Sequence, residues 1–387
     1  MNTFELDERY IAHTYGRAPV EFVSGKGSLL YDAQGKRYID LGSGIAVNAF
    51  GASDDLWLAA VVRQAAQLPH VSNLYYTGPQ AQLARLLCEK SGMKRVFFGN
   101  SGAEANEGAI KAARKYAHDH CGEERPTIVT LENSFHGRTI ATLAATGQES
   151  LHTHFGPFPE GFVHVPAGDL DAMRRALSGK PCAAVMMELV QGEGGVLPLD
   201  PGYVRAVERL CRDCGALLIV DEVQTGNGRT GTYFAYQQYG VVPDIVTTAK
   251  GIAGGLPMGA VLFGERTADT LEKGQHGSTF GGNPVCAAAA LSVVSRIDDA
   301  LLAEVRRKGA YVRSALEGTP HVLDVTGLGL MLGIRTDKPA GEVVGACRER
   351  GVVVLTAHDR VRLLPALNIP APLLEEAVAI LKEVLAA

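Results

Sequence analysis

Short, continuous apolar runs alternate with stretches of helical period through the middle of this chain. The runs cover residues 96–99, 127–131, 183–189, 216–221, 244–248 and 259–264, and amphipathic segments such as 105–117 and 203–211 lie between several of them. A run without polar alternation suits a strand buried on both faces. Strands separated by helices suit a parallel sheet covered on both sides. Ligands of such sheets sit beyond the carboxyl ends of the strands, so the residues just after each run carry the most functional information. The two chain ends differ from the middle. Residues 1–49 hold short strand-like pieces broken by glycine, notably SGKGSLLYDAQGKRYIDL, and from about 290 onward the pattern reads as helix, strands and a last helix over 373–385. The pattern predicts an α/β protein. A large domain over 50–285 holds a mainly parallel sheet between helices, and a smaller α+β domain joins segment 1–49 to residues 286–387.

Of the 387 residues 46% are hydrophobic and 20% charged, which supports a substantial core. A net charge of -5 supplies no electrostatic reason to expect nucleic acid or an anionic membrane as partner. No apolar run reaches the roughly 20 residues that span a bilayer. The opening MNTFELDERY is acidic and mixed, unlike a signal or transit peptide, so a cytoplasmic protein is expected. The cysteines (Cys88, Cys121, Cys182, Cys211, Cys214, Cys286 and Cys347) are odd in number and scattered, as reduced thiols are. Cys211 and Cys214 form a CxxC, but no second pair or His pair lies nearby to complete a zinc site. His118 with His120, and His152 with His154, are spaced i, i+2 and would not share a helix face, so they are read as solvated or structural.

Three clusters carry chemistry. In Val96-Phe-Phe-Gly-Asn-Ser-Gly-Ala-Glu104, Ser101 and Glu104 have capping-box spacing ahead of a helical stretch. The free amides of Ser101, Gly102 and Ala103 would then face out of a positive helix end, ready for an anion. In Leu217-Leu-Ile-Val-Asp-Glu222 a buried strand ends in two acids, and a carboxylate there needs a cationic partner, a metal or a protonated ring nitrogen. In Asp244-Ile-Val-Thr-Thr-Ala-Lys250, followed by GIAGGLPMGA, a lysine closes a buried strand beside a glycine run. Partial desolvation would lower its pKa and make the amine nucleophilic. An anion cradle, an acid on a neighbouring strand and an activated lysine are the parts that pyridoxal 5'-phosphate (PLP) needs: phosphate anchor, pyridinium partner and imine donor.

The chain resembles the class III aminotransferases of the ornithine/4-aminobutyrate type over essentially its whole length. The resemblance rests on GKGSLLYDAQGKRYIDLGSGIAVNAFG, FFGNSGAEANEGAIKAARK, SFHGRT, ELVQGEGGV, LLIVDEVQTGNGRTG, PDIVTTAKGIAGGLPMGAV, GSTFGGNP and VRLLPALNI, in that order. It implies the fold type I architecture of PLP enzymes. It also implies that Lys250 holds the cofactor and Asp221, with Glu222 beside it, faces the ring nitrogen. Gln224 would sit by the ring hydroxyl and Phe135 would stack on the ring, while the amides of Ser101, Gly102 and Ala103 would bind the phosphate. Thr279 of GSTFGGNP would reach the phosphate of a neighbouring subunit, which implies an obligate homodimer, with Ser278 beside it near the substrate. Arg138 and Arg362 would bind substrate carboxylates, Glu193 would pair with Arg362 when no carboxylate is there, and Tyr15 and Ile45 would line the substrate pocket.

The activity so implied is transfer of the terminal amino group of N2-acetylornithine to 2-oxoglutarate, giving N-acetylglutamate 5-semialdehyde and glutamate. Ornithine, succinylornithine and 4-aminobutyrate are the alternative donors. Ile45 stands where ornithine aminotransferases carry a tyrosine, which enlarges the pocket and argues against free ornithine. Two further departures, Gly51-Ala-Ser-Asp-Asp55 in place of Gly-His-x-His-Pro and Leu189 in place of a proline, touch the local backbone. The rival from another class is a nucleotide-dependent dehydrogenase, because residues 226–231 match GxGxxG. That motif should close a strand directly and open a helix, whereas here EVQT separates the strand from the glycines.

Overall fold

The computed structural model describes residues 1–121, 127–179 and 181–387, and the side chain of Cys121 also lies outside the described set. A seven-stranded sheet runs through the centre in the order Arg95–Gly99, Gly259–Phe263, Ile245–Thr248, Leu217–Asp221, Cys182–Met187, Thr127–Leu131 and Phe162–Val165. Neighbours are parallel except at Gly259–Phe263, which is antiparallel to both strands beside it. The six apolar runs of the sequence fall on six of these strands. The seventh, Phe162–Val165, is short and only partly buried, and His164 interrupts its apolar pattern.

Helices Gly102–Cys121 and Pro201–Cys214 occupy the predicted amphipathic segments. Asp200 caps the second by accepting from the Tyr203 amide at 2.8 Å, Pro201 opens it, and Gly215 at φ 76° ends it. No helix among the described residues is long and apolar enough to cross a membrane.

The two chain ends meet in one sheet: Val352–Val353 pairs in parallel with Arg37–Asp40, which continues into Leu29–Asp32 and Phe22–Lys26. A second antiparallel sheet orders Val322–Leu328, Met331–Thr336, Arg360–Leu363 and Leu355–Ala357, so Arg362 lies on an inner strand. The boundary expected at 285/286 falls inside helix Pro284–Val294, which packs on Asp55–Gln67 and Gly78–Ser91.

The unusual stretch 51–55 has a definite local role. Gly27 and Ala52 exchange amide hydrogen bonds of 2.8 and 2.7 Å, and Asp54 caps helix Asp55–Gln67 by accepting from the Trp57 amide at 2.9 Å. Gly51 sits at φ 80°, where a Cβ would lie 2.4 Å from the Gly27 carbonyl oxygen. Leu189 is buried, and its carbonyl accepts from the Leu199 amide and the Tyr239 hydroxyl.

The paired acids at the end of Leu217–Asp221 separate, because neighbours on an extended chain point to opposite faces. Asp221 lines the central cavity, whereas Glu222 is fully buried away from it. The Glu222 carboxylate accepts from the Tyr236 amide at 2.8 Å and from the Thr225 hydroxyl. The expected place of Glu222 beside the cofactor is therefore corrected. Burial pushes its carboxyl up to about 7, against the pull of those hydrogen bonds.

Two predictions follow from these packing arrangements. Gly259 pairs with Gly99, and a Cβ on it would lie 2.1 Å from the Ser101 carbonyl oxygen. Gly259→Ala should cost about 1–3 kcal/mol, seen as a lower urea midpoint; an unchanged midpoint would contradict the close approach. For Glu222, the unfolded carboxyl loses its proton near its ordinary value and the folded one only near 7. Between those pH values the folded state holds the extra proton, so stability falls as pH rises through the window. Glu222→Gln keeps an acceptor for Tyr236 and removes that slope. Its stability relative to the parent should rise by about 2–3 kcal/mol from pH 4 to pH 8, and a pH-independent Tm difference would reject the assignment.

Candidate active site

At the carboxyl ends of the parallel strands lies a cavity of about 410 Å³. Strand Cys182–Met187 delivers Glu188 to it, Leu217–Asp221 delivers Asp221, and Ile245–Thr248 leads through Ala249 to Lys250. Ser101, Gly102, Ala103, Phe135, Arg138, Glu193 and Gln224 complete the predicted residues that line it.

Lys250 has φ 42°, a left-handed conformation that costs a non-glycine residue energy and persists only where the surroundings dictate it. Burial pushes its amine below the ordinary lysine value. Glu193, Asp221 and Glu188 oppose this, while Arg362 adds to it. The net effect lets the amine give up its proton more readily than an ordinary lysine does.

Asp221 is 3% exposed and faces three hydrogen-bond donors. One oxygen accepts from Asn106 Nδ2 at 2.7 Å and lies 2.8 Å from His136 Nδ1, and the other accepts from the Val223 amide at 2.9 Å. An ionised carboxylate only accepts, so it fixes the His136 proton on Nδ1. Asn106 is held in turn by donating to the His136 carbonyl at 2.7 Å. Asn106 Oδ1 and His136 Nε2 are buried without a partner among the described residues.

Helix Gly102–Cys121 aims its amino end at the cavity, where Ser101, Gly102 and Ala103 form the lining. Ser101 Oγ accepts from the Glu104 amide at 3.1 Å, as a cap does. The return half of the box is shifted: the Glu104 carboxylate accepts from the Asn100 amide at 2.7 Å and from its Nδ2 at 2.8 Å. The Ser101 amide is thus not spent on Glu104 and joins the uncommitted amides of the first helical turn. Gly102 has no room for a side chain, since a Cβ would lie 2.7 Å from Val223.

On the other side, Arg362 Nη1 lies 2.6 Å from Glu193 and 3.2 Å from Gln224 Oε1. The Arg362 side chain is 4% exposed and that of Glu193 30%. Burial works against ionisation of Glu193, but Arg362 outweighs it and holds the carboxyl below its ordinary value. At the mouth, the Arg138 guanidinium sits 5.5 Å from the centre of the Phe135 ring. Glu188 accepts from the Phe135 amide, and burial pushes its carboxyl up to about 7 while His136 opposes the rise.

Besides Glu222, and Arg362 which reaches the lining only through Glu193 and Gln224, four predicted residues lie outside the lining within one chain. Tyr15 is 73% exposed in an irregular surface segment. Ile45 is also exposed, on a left-handed turn at φ 65°. Ser278 accepts from Asn100 Nδ2 at 3.2 Å and from the Gly281 amide at 2.9 Å, and Thr279 beside it is exposed. The sequence reading missed Asn106, His136 and Glu188 as site residues. Glu188 was findable, because it directly follows a buried run in a sheet whose ligands bind at strand ends. Asn106 stands one helical turn beyond Gly102. His136 carries no spacing signal of its own.

These residues fit PLP. The uncommitted amides suit a phosphate, the buried Asp221 suits a protonated ring nitrogen, and the amine of Lys250 suits an aldehyde carbon. The 226–231 run does not fit a dinucleotide, since turns rather than a helix follow it directly and Arg229 is buried among carbonyls.

Comparison with known proteins agrees with this geometry. The family model described as Aminotransferase class-III matches residues 10–385. The chain is 52% identical to an acetylornithine aminotransferase of Haemophilus ducreyi, over 98% of either chain. It is similar to the ornithine aminotransferase of Toxoplasma gondii, solved with partial occupancy of PLP at the active site, with a TM-score of 0.94 and 32% identity over 99% of this chain and 93% of that one. The N-acetylornithine aminotransferase of Stenotrophomonas maltophilia superposes with a TM-score of 0.85 at 36% identity, over 99% of this chain and 98% of that one. The chain therefore belongs to the class III aminotransferases and is a PLP-dependent aminotransferase.

Proposed function

We propose that the protein moves the terminal amino group of N2-acetyl-L-ornithine to 2-oxoglutarate, giving N-acetyl-L-glutamate 5-semialdehyde and L-glutamate, a step of arginine biosynthesis. The observation that carries the donor is the 52% identity to the Haemophilus ducreyi acetylornithine aminotransferase along nearly the whole chain. Bound in the cavity, PLP supplies a protonated ring that takes up the charge developing at the substrate carbon.

The chain's own residues do the rest. Lys250 would hold the cofactor's aldehyde carbon and, as the neutral amine, would carry a proton from the amine-bearing carbon of the donor to that cofactor carbon. Asp221, fixed by Asn106, His136 and the Val223 amide, keeps the ring nitrogen protonated. The amides of Ser101, Gly102 and Ala103 hold the phosphate. Arg138 takes the distant carboxylate of the donor while Glu193 neutralises Arg362. When 2-oxoglutarate enters, Glu193 yields and Arg362 binds the acceptor's carboxylate through two parallel hydrogen bonds.

A second reading, free ornithine as donor, draws support from the shape match to the Toxoplasma gondii enzyme. Ile45, smaller than the tyrosine of ornithine aminotransferases, weighs against it. A homodimer belongs to the same proposal. Thr279 is exposed beside Phe280, and Leu74, Tyr75 and Tyr76 are largely exposed apolar side chains that a second copy would cover. Thr279 would then reach the partner's phosphate.

Borohydride treatment of the holoenzyme should leave a cofactor-mass adduct on the peptide bearing Lys250. Lys250→Ala should lose turnover yet still bind PLP in an absorbance titration, and near-normal turnover in that variant would sink the assignment. The donor is decided by single-turnover stopped-flow rates. N-acetylornithine should exceed ornithine and 4-aminobutyrate in kcat/KM by one to several factors of ten, each worth about 1.4 kcal/mol. Glu193→Ala should slow this amine half-reaction more than the glutamate half-reaction. Faster turnover of ornithine or 4-aminobutyrate would overturn the donor while leaving the PLP chemistry intact.

A further inference from the structure

The cavity is walled by two loops that come from different strands. One follows Thr127–Leu131 and carries Phe135, His136 and Arg138, and the other follows Cys182–Met187 and carries Glu193. Glu188 stands between them, 5% exposed, at the end of the strand Cys182–Met187. Its two oxygens are divided: Oε1 accepts from the Phe135 amide at 2.9 Å and Oε2 from the Gly192 amide at 3.1 Å. The loops also meet directly, since Gln191 Nε2 donates to the Glu132 carbonyl at 2.8 Å. Gly192 is pressed against Gln224, where a Cβ would lie 2.7 Å from Oε1, the oxygen that accepts from Arg362.

We propose that Glu188 is a positioning residue that ties the Phe135 loop to the Gly192–Glu193 loop, so that the wall beside the cofactor and the Glu193–Arg362 pair are set by one side chain. The reason lies in hydrogen-bond arithmetic. A carboxylate can accept at both ends, and each amide bond to it is charge-assisted and stronger than a neutral one. Among acidic and amide side chains only a carboxylate accepts at both ends, and of the two carboxylates only Glu has this length. Glutamine would turn an N–H toward one of the amides, and aspartate is one methylene too short to reach both loops. The effect on substrates rests on the switching role proposed above for Glu193, but the tie itself does not.

Glu188→Gln, with Glu188→Asp as a second variant should the first fold poorly, tests the proposal in the full-length protein. Hydrogen exchange resolved to the Phe135 and Gly192 amides should speed up at one or both by about 10–100-fold, already in the PLP-free protein. Glu193→Ala should leave the Phe135 amide unchanged. In single turnover, Glu188→Gln should lower the ratio of the N-acetylornithine rate to the glutamate rate about tenfold, as far as Glu193→Ala does. The double variant should fall no further, because both act through the same loop. Unchanged exchange at both amides overturns the proposal, and so do losses that multiply in the double variant. If Glu193→Ala leaves the rate ratio untouched, the switching role fails instead, and accelerated exchange in Glu188→Gln still upholds the tie.

Discussion

Ionised groups crowded into one cavity are the constraint on which the rest of the structure depends. Lys250 and Arg362 are the basic groups, and Asp221, Glu188 and Glu193 the acidic ones; all but Arg362 line the cavity, and Arg362 is bound to Glu193 beside it. A buried charge costs several kcal/mol unless partners and hydrogen bonds compensate it. Each group here has a distinct compensation. Asp221 takes three donors, Glu188 takes two backbone amides, and Glu193 and Arg362 take each other. Lys250 instead yields its proton more easily, because burial lowers its pKa more than the surrounding acids restore it. That imbalance is what a lysine needs if it is to act as a nucleophile and then as a base.

Holding these groups in place requires backbone that would not form on propensity alone. Lys250 is left-handed, and the turn facing it, Ser43–Ala46, runs through φ values of 48°, 62°, 65° and 62°. The penalty for left-handed non-glycine residues is about 1–2 kcal/mol each. Asp40 helps to hold the turn by accepting from the Gly42 and Ser43 amides, both at 2.8 Å. The two strained pieces touch: a Cβ on Gly251 would lie 3.2 Å from the Ala46 carbonyl oxygen. Strain on both sides of one cavity is expected where function dictates conformation.

The inner strands were legible because they are buried on both faces and read as unbroken apolar runs. Of the two partly buried edge strands, Arg95–Gly99 still carries an apolar run, whereas His164 breaks that of Phe162–Val165. Lys250 and Asp221 were legible because they interrupt apolar runs at strand ends, where polar residues are costly. Glu222 does so too, and there the rule misled. Its cost is met by an amide and a hydroxyl away from the cavity, and only the alternation of side chains along the strand separates it from Asp221. Asn106 and His136 act by holding Asp221, a contact that depends on tertiary geometry and leaves no mark on spacing.

The glycine-rich stretch 226–231 shows how one motif can carry a different physical meaning. Its glycines permit close approach: a Cβ on Gly226 would lie 2.7 Å from the Glu222 carbonyl oxygen, and one on Gly228 3.0 Å from Ile297. Within it Arg229, 2% exposed, donates to the carbonyls of Leu330 and Pro365, and burial lowers its pKa to about 9. Its own carbonyl accepts from the Leu330 amide at 3.0 Å. The stretch therefore joins the segment bearing Gln224 to the sheet bearing Arg362, two residues whose side chains meet at 3.2 Å. A shift of this joint would move Arg362 relative to Glu193, which comes from the central sheet. The distance over which Arg362 holds Glu193 is thus set in part by packing around Arg229, on the far side of this joint.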